Sequence, residues 1–348
     1  MAVPGEVLSA FGMADAEVTP ITRGLINATF ALRDARGRFV LQQVNPIFQA
    51  EVHENIEAVT RHLFHKGMQT PLLLPTQTDG ALYFVHDDRV WRCLSFIEGT
   101  TFDHLGSPQH AREAGALLAR FHGALVDLKT TWRGQRLGVH DTDKHVANLR
   151  SALEAHSSHA LHSEVAGLAE VLLQHAAELP RFGDITPRAV HGDPKINNII
   201  FHPTEERALC FVDLDTVGPM PLPLELGDAF RSWCNPAGEN KGPVTFSLDL
   251  FRAAVAGYAT EAVDFITGTE LSAISDAIPL IMVELATRFA ADALNETYFG
   301  WDPRHFSSRG AHNLARAKVQ LQLAESYLAQ REDVDDIIGV TFRRASSC

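Results

Sequence analysis

Short apolar runs broken by turn residues fill the first hundred positions, and amphipathic stretches of helical length fill most of the rest. Ala28 to Leu32 and Arg38 to Val44 read as strands, with Asp34-Ala35-Arg36-Gly37 as the hairpin turn between them. From Glu51 to His65 the spacing of Ile56, Val59 and Leu63 gives a helix one buried face, and the helix ends near Gly67. Ala81 to His86 and Arg89 to Ile97 read as two further strands turned at Asp87-Asp88. From Ser107 the period changes. Pro108 to Val126, Lys144 to His156, Glu164 to Leu179, Ser247 to Val263, Thr269 to Leu294 and His312 to Gln330 all read as helices. One hairpin interrupts them: Asn198 to Phe201 and Ala208 to Leu214, joined by His202 to Arg207. The pattern therefore predicts an α+β chain of two lobes. A small antiparallel-sheet lobe with a helix spans 1–97, a connector Glu98-Gly99-Thr100 follows, a larger mainly helical lobe spans 101–335, and 336–348 is a tail.

Length and composition support that division. At 348 residues the chain is longer than one core usually fills, and its 45% hydrophobic and 21% charged residues are those of an ordinary globular protein. A formal net charge of −13 argues against nucleic acid as the main partner, since that contact needs Lys and Arg against phosphates. A small triphosphate needs only local positive charge, so a nucleotide ligand stays open. Met1 to Phe11 has no basic start and no long apolar run, and no stretch of eighteen apolar residues occurs. Cys93, Cys210, Cys234 and Cys348 lack the spacing of a zinc site or a disulfide framework, so a reducing cytoplasm without membrane contact is expected. His156, His159 and His162 fall three apart, but no Cys or carboxylate completes a metal set, and a polar helix face or turn is expected there.

The candidate chemistry gathers around the internal hairpin. Asp193 sits in a loop after an apolar run, Asn198 begins the hairpin's first strand, and Asp213 closes its second, so the hairpin returns Asp213 toward Asn198. A base, an amide oxygen and a second carboxylate on one spot can orient a hydroxyl and hold Mg²⁺ against phosphates. Positioning and charge stabilisation are most of what phosphoryl transfer asks of a protein.

The run Val190-His191-Gly192-Asp193, with Asn198 and then Phe211-Val212-Asp213, resembles the catalytic and metal-binding loops of the aminoglycoside phosphotransferase and choline kinase superfamily, which shares the protein-kinase architecture. Further pieces are similar to the N-acetylhexosamine 1-kinase group: Phe39 to Asn45, Glu54-Asn55-Ile56, Asp193-Pro194-Lys195, Asp213 to Val217, Leu226 to Ala229 with Arg231, and His312 to Ala317. The resemblance implies a bilobal protein-kinase-like fold and ATP as co-substrate with Mg²⁺. It makes Asp193 the catalytic base, Asn198 and Asp213 the metal ligands, and His191 the organiser of the loop. Lys195, two residues after the base, would place an ammonium on the transferring phosphate, and Asp215 would be a further metal ligand or a loop anchor. Arg23-Gly24-Leu25-Ile26-Asn27 looks like the phosphate-covering loop, which brings Gly24 and Asn27 to the nucleotide along with Glu98 of the connector. Many relatives carry a phosphate-holding lysine where this chain reads Leu41-Gln42-Gln43, and Gln42 would bond a phosphate oxygen instead. The sugar-kinase group often has His where this chain has Leu25. Arg288 and Tyr298 resemble positions that contact the sugar, and Asp228 and Arg231 are expected to support the catalytic loop from behind.

The function these residues imply is transfer of the γ-phosphate of ATP to a small polar hydroxyl compound, first the anomeric hydroxyl of an N-acetylhexosamine. Alternative acceptors are an aminoglycoside, a choline-like amino alcohol or homoserine. The missing lysine motivates a third reading, an idle nucleotide- or sugar-binding protein; the retained Asp193, Asn198 and Asp213 weigh against it.

Overall fold

The computed structural model describes residues 2–21, 26–135, 138–240 and 242–347. Its first part is a six-stranded antiparallel sheet of β1 (Glu17–Ile21), β2 (Ala28–Asp34), β3 (Gly37–Gln43), β4 (Leu73–Leu74), β5 (Phe84–His86) and β6 (Arg89–Ser95). The order is β1-β2-β3-β6-β4, with β5 attached to β6. Asp87 and Asp88 turn the β5–β6 hairpin with φ of 49° and 56°, the left-handed pair that a two-residue hairpin needs to match strand twist.

Strand periodicity sorts the two faces of the sheet. Phe30, Leu32, Leu41, Trp91 and Cys93 form one core with Val7 and Leu8 of α1 (Gly5–Ala10). Gln42 and Arg92, one residue further along the paired strands, therefore face the other side. Toward that side lies α2 (Val52–His65), whose stripe of Val52, Ile56, Val59 and Leu63 joins the large core of the helical part.

The second part comprises α3 (Pro108–Leu125), α4 (Thr142–Ala155), α5 (His162–Glu178), α6 (Leu222–Trp233), α7 (Leu248–Ala262), α8 (Gly268–Asn295), α9 (Arg309–Leu328) and α10 (Arg331–Ala345). Between them run the short strands β7 (Arg188–Val190), β8 (Ile199–Phe201), β9 (Ala208–Phe211) and β10 (Gly218–Met220). Ser107, Asp141, Ser247, Thr267 and Ser308 each accept a first-turn amide and so fix where five of these helices begin. Helices α3 and α7 touch backbone to backbone because Gly257 has no side chain: a Cβ there would lie 1.9 Å from the Arg112 carbonyl oxygen.

This is the α+β, two-part architecture that the pattern predicts; besides the short elements α1, β4 and β10, which the sequence reading lacks, three differences matter. Residues 336–348, expected as a tail, lie mostly in α10, where Ile337, Ile338 and Phe342 are buried against the core. Strand β1 adds an edge that the sequence reading lacks; Pro20 is tolerated there because an edge strand has one unpaired side. Helix α6 is also absent from the sequence reading: eleven of its twelve residues are buried, the polar row Glu225, Asp228 and Arg231 included. Among the described residues no helix is long and apolar enough to cross a membrane.

Candidate active site

Two loops meet between two small sheets. Residues 191–198 leave β7 and enter β8, while 212–217 leave β9 and enter β10; β7 pairs with β10 and β8 with β9, so each loop is tied at both ends to the other. Cross-bonds complete the weld. His191 Nε2 lies 3.0 Å from the Val212 carbonyl, Thr216 Oγ1 donates to the His191 carbonyl at 3.0 Å, and Val212 N donates to the Asn198 carbonyl at 2.8 Å. The Asp193 amide donates to His191 Nδ1 at 3.3 Å, so the ring carries its proton on Nε2; burial holds this ring below the usual histidine range. His191 thus organises the loop from inside the core.

Gly192 closes the same joint with φ of +83°, and a Cβ there would lie 2.4 Å from the Thr216 carbonyl oxygen. Gly192→Ala is expected to cost about 2–4 kcal/mol of stability from strain and contact together, as read by urea denaturation. An alanine variant as stable as the parent would show that the loops part without penalty.

Asp193 lies at the mouth of this joint. Lys195 Nζ pairs with its Oδ2, and Asn198 Nδ2 donates to its backbone carbonyl at 2.9 Å and to Oδ2 at 3.1 Å. Burial pushes the Asp193 carboxyl up, but the Lys195 ammonium outweighs it and holds the group ionised below its usual range. Asp213 faces the same space from a left-handed backbone, φ 65° and ψ 54°. Burial first, and then the Asp215 carboxylate, push Asp213 up to about 7.

The donor set suits Mg²⁺. Asn198 spends its amide nitrogen on Asp193 and keeps Oδ1 for a ligand, while the Asp213 carboxylate has no hydrogen-bond donor among the described residues. Both offer hard oxygen, the donor Mg²⁺ prefers. Among the described residues no three His, Cys, Asp or Glu side chains form a closed cage, which fits an ion that completes its shell with phosphate and water. Asp215 does not belong to this set. Arg92 takes both its oxygens, with Nη2 to Oδ2 at 2.8 Å, and Asn27 Nδ2 adds a third bond at 2.8 Å. Of its two expected roles the anchor is the one its bonds support, because both its oxygens already accept from Arg92 and one also from Asn27.

The nucleotide candidates are less open than the sequence reading expects. Gly24 lies outside the described residues. Asn27 spends its amide on Asp215 and its oxygen on the Asn45 amide at 2.9 Å. Gln42 accepts from Arg92 Nε at 2.8 Å and donates to Thr29 Oγ1 at 3.2 Å. The Glu98 carboxylate sits at the surface, 2.6 Å from Arg38.

Arg288 and Tyr298 come together as walls of a cavity of about 440 Å³ between α4 and α8. A smaller cavity of about 220 Å³, lined by Gly192 and Asp215 of the two loops, shares Gly138 and Val139 with it, so the two adjoin at that stretch before α4. The Arg288 guanidinium rests 5.6 Å from the Phe299 ring and makes no ion pair or hydrogen bond among the described residues. Asp292, the carboxylate in this wall, is spent on the amides of Thr297, Tyr298 and Phe299 and on Asn313. His156, His159 and His162 bond separately to Asn295, Glu296 and the Leu153 carbonyl.

The sequence reading puts the loop's support at Asp228 and Arg231; the Arg231 charge helps keep Asp193 ionised, but the hydrogen bonds to the loop backbone come from another residue of α6. Asp228 and Arg231 bond to each other, at 2.9 and 2.7 Å, and Arg231 to Glu239, at 2.6 Å; none of these bonds reaches the loop backbone. Glu225 does the holding. Completely buried in the first turn of α6, it accepts the His191 amide on Oε1 and the Gly192 amide on Oε2, both at 2.9 Å. His122 Nε2 lies 3.5 Å from Oε1, and its Nδ1 lies 3.0 Å from the Tyr258 hydroxyl. The far end of α6 grips the same loop, with Trp233 Nε1 on the Pro194 carbonyl at 2.9 Å and Ser232 Oγ under the Ile196 amide at 3.1 Å. A glutamate between two apolar residues just after two prolines was the available signal.

Residues 17–264 match the family described as "Phosphotransferase enzyme family". The chain is similar to a homoserine kinase of Sinorhizobium fredii, 29% identical over 275 residues that cover 77% of this chain and 76% of that protein. Among solved structures it is similar in fold to a microcompartment-associated aminopropanol kinase, with TM-score 0.62, 14% identity and coverage of 94% and 97% of the two chains. A thermostable mutant of an aminoglycoside phosphotransferase, solved as a ternary complex with ADP and hygromycin B, gives 0.56, 13%, 94% and 99%.

Proposed function

The chain belongs to the phosphotransferase enzyme family, and from that premise we propose that it moves the γ-phosphate of ATP to the hydroxyl of a small acceptor bound beside Arg288. The observation that carries this reading is the meeting of Asp193, Lys195, Asn198 and Asp213 on two loops welded to each other. Asp193 Oδ2 orients the acceptor hydroxyl and takes its proton as the oxygen attacks. An ionised carboxylate does this while Lys195 turns from it to the transferring phosphate, where its ammonium meets the growing charge. Asn198 and Asp213 would hold Mg²⁺, which would supply positive charge against the phosphates. An idle binding protein has no use for that set of groups in one place.

For the acceptor, the reading supported best is a hydroxyl compound that carries a carboxylate, with homoserine, the substrate named for the relatives, as its first member. Among the described residues Arg288 is a half-buried cation with no ion pair, Glu284 one turn away being taken by His140 and Thr142, while Lys144 lines the same cavity and the wall carboxylate Asp292 is saturated. Such a wall repels choline or an aminoglycoside and suits an anion. The N-acetylhexosamine reading is favoured by Asn148, Ser151 and Asn295, mixed donors and acceptors of the kind a sugar needs.

An acceptor panel separates these readings. Mg²⁺-dependent ADP release is expected to rise with homoserine more than with N-acetylglucosamine, N-acetylgalactosamine, choline or kanamycin. No increase with any acceptor sinks the kinase reading. Arg288→Met is expected to raise KM for the carboxylate acceptor by about tenfold or more, the loss of one charge-assisted contact, with the ATP KM within about twofold of parent. An unchanged acceptor KM removes Arg288 from the pocket's work.

A further inference from the structure

A polar row crosses the face of the sheet away from α1. Thr29 on β2 is the register partner of Gln42 on β3, and Gln42 that of Arg92 on β6, so three neighbouring strands present three polar side chains in line. They are bonded in sequence: Gln42 Nε2 donates to Thr29 Oγ1 at 3.2 Å, and Arg92 Nε to Gln42 Oε1 at 2.8 Å. The row ends on Asp215, which receives both Nη groups of Arg92 and, from Asn27, a further bond at 2.8 Å. The side chains of this ion pair are 2% and 1% exposed.

A sealed ion pair contributes little net stability, because desolvating two charges offsets most of their attraction. What a two-point guanidinium–carboxylate contact does supply is a fixed geometry between the two pieces of chain that carry it. One piece is the strand beside β3. The other is the 3₁₀ turn Leu214–Thr216, entered directly from Asp213. Asp213 itself sits in a left-handed kink, and among the described residues no donor from the sheet bonds its carboxylate, so the turn is held to the sheet through Asp215. Gln42 is too short of charge to act alone and instead steers the guanidinium by its Nε.

We propose that Arg92 is a positioning residue of the nucleotide site: through Asp215 it fastens the Asp213 turn to the sheet, so that nucleotide held by the sheet and Mg²⁺ held by the turn share one geometry. This rests on the kinase reading above. It makes the cross-link a device for coupling two ligands rather than a stabiliser of the fold. Positions 42 and 92 stand side by side on adjacent strands, so a lysine at 42 can approach the same carboxylate from one strand over.

Calorimetric titration with ADP, with and without Mg²⁺, tests it on parent, Arg92→Gln, Arg92→Lys and the double variant Gln42→Lys/Arg92→Gln, each checked for folding by circular dichroism and a thermal melt. In the parent Mg²⁺ tightens ADP binding. In Arg92→Gln that tightening is expected to fall by about tenfold, the usual loss when the partner of a metal ligand's neighbour is removed, while metal-free ADP affinity stays within about twofold. The double variant regains most of it. A folded Arg92→Gln that responds to Mg²⁺ as the parent does overturns the role of Arg92. So does an equal loss with and without Mg²⁺, which marks a direct phosphate contact or general damage. If Arg92→Gln does not fold, Arg92→Lys, which keeps the charge and loses the two-point contact, is read by the same criterion. A parent whose ADP affinity ignores Mg²⁺ overturns the kinase reading itself, a result distinct from a responsive parent paired with an equally responsive variant.

Discussion

Asp193→Asn is expected to lower turnover by about a thousandfold while leaving ADP affinity within about twofold, the effect of removing a general base without removing its shape. The amide keeps an oxygen that can accept from Asn198 and Lys195, which now bond the carboxylate. What it cannot do is take a proton from the acceptor hydroxyl. Steady-state kinetics at saturating acceptor, with ADP affinity by calorimetry, check both halves. Turnover within threefold of parent would remove Asp193 from the base position. A fall in ADP affinity equal to the fall in turnover would mean that the loop, not the chemistry, had been damaged.

The second large effect belongs to Glu225. Its two oxygens serve two converging amides, those of His191 and Gly192, in a site with no water access. A carboxamide offers one acceptor and one donor, so Glu225→Gln turns an N–H toward an N–H and leaves one loop amide unpaired. The expected loss is about 3 kcal/mol, the cost of a buried donor left unsatisfied plus a repulsive contact. Urea denaturation measures it, and turnover of the folded variant should fall as well, because the amides it releases are the two that precede Asp193. Stability within about 0.5 kcal/mol of parent, the range of a surface change, would assign the holding of this loop to Trp233 and Ser232 instead.

Glu225 also shows what a sequence hides. In Leu222-Pro223-Leu224-Glu225-Leu226 the glutamate stands alone among apolar residues and prolines, so its purpose is not visible in the pattern. Asp228 and Arg231, three apart and nearby, look like the better scaffold. In the fold they satisfy each other and Glu239, and the burial that makes them conspicuous is explained by that mutual pairing. Asp215 misleads in the same way: alternation with Asp213 suggests a shared ligand, while a 3₁₀ turn in fact sends its side chain to Arg92, 123 positions away.

The sequence by itself determined four strands of the sheet (β2, β3, β5 and β6), most of the long helices and the order Asp193, Asn198, Asp213 along one hairpin. These are local matters, set by strand and helix periodicity, by turn residues such as Asp87-Asp88, and by short spacings that survive any folding of the rest. Only the tertiary structure decided which carboxylates are spent and which are left. Glu225, Asp215 and Asp292 are consumed by partners that the chain brings from far away or from a helix end, whereas Asp213 and Arg288 are left without donor or counter-ion among the described residues. A charge is available for chemistry only when nothing else in the fold has satisfied it, and that depends on every element packed around it rather than on its neighbours in sequence.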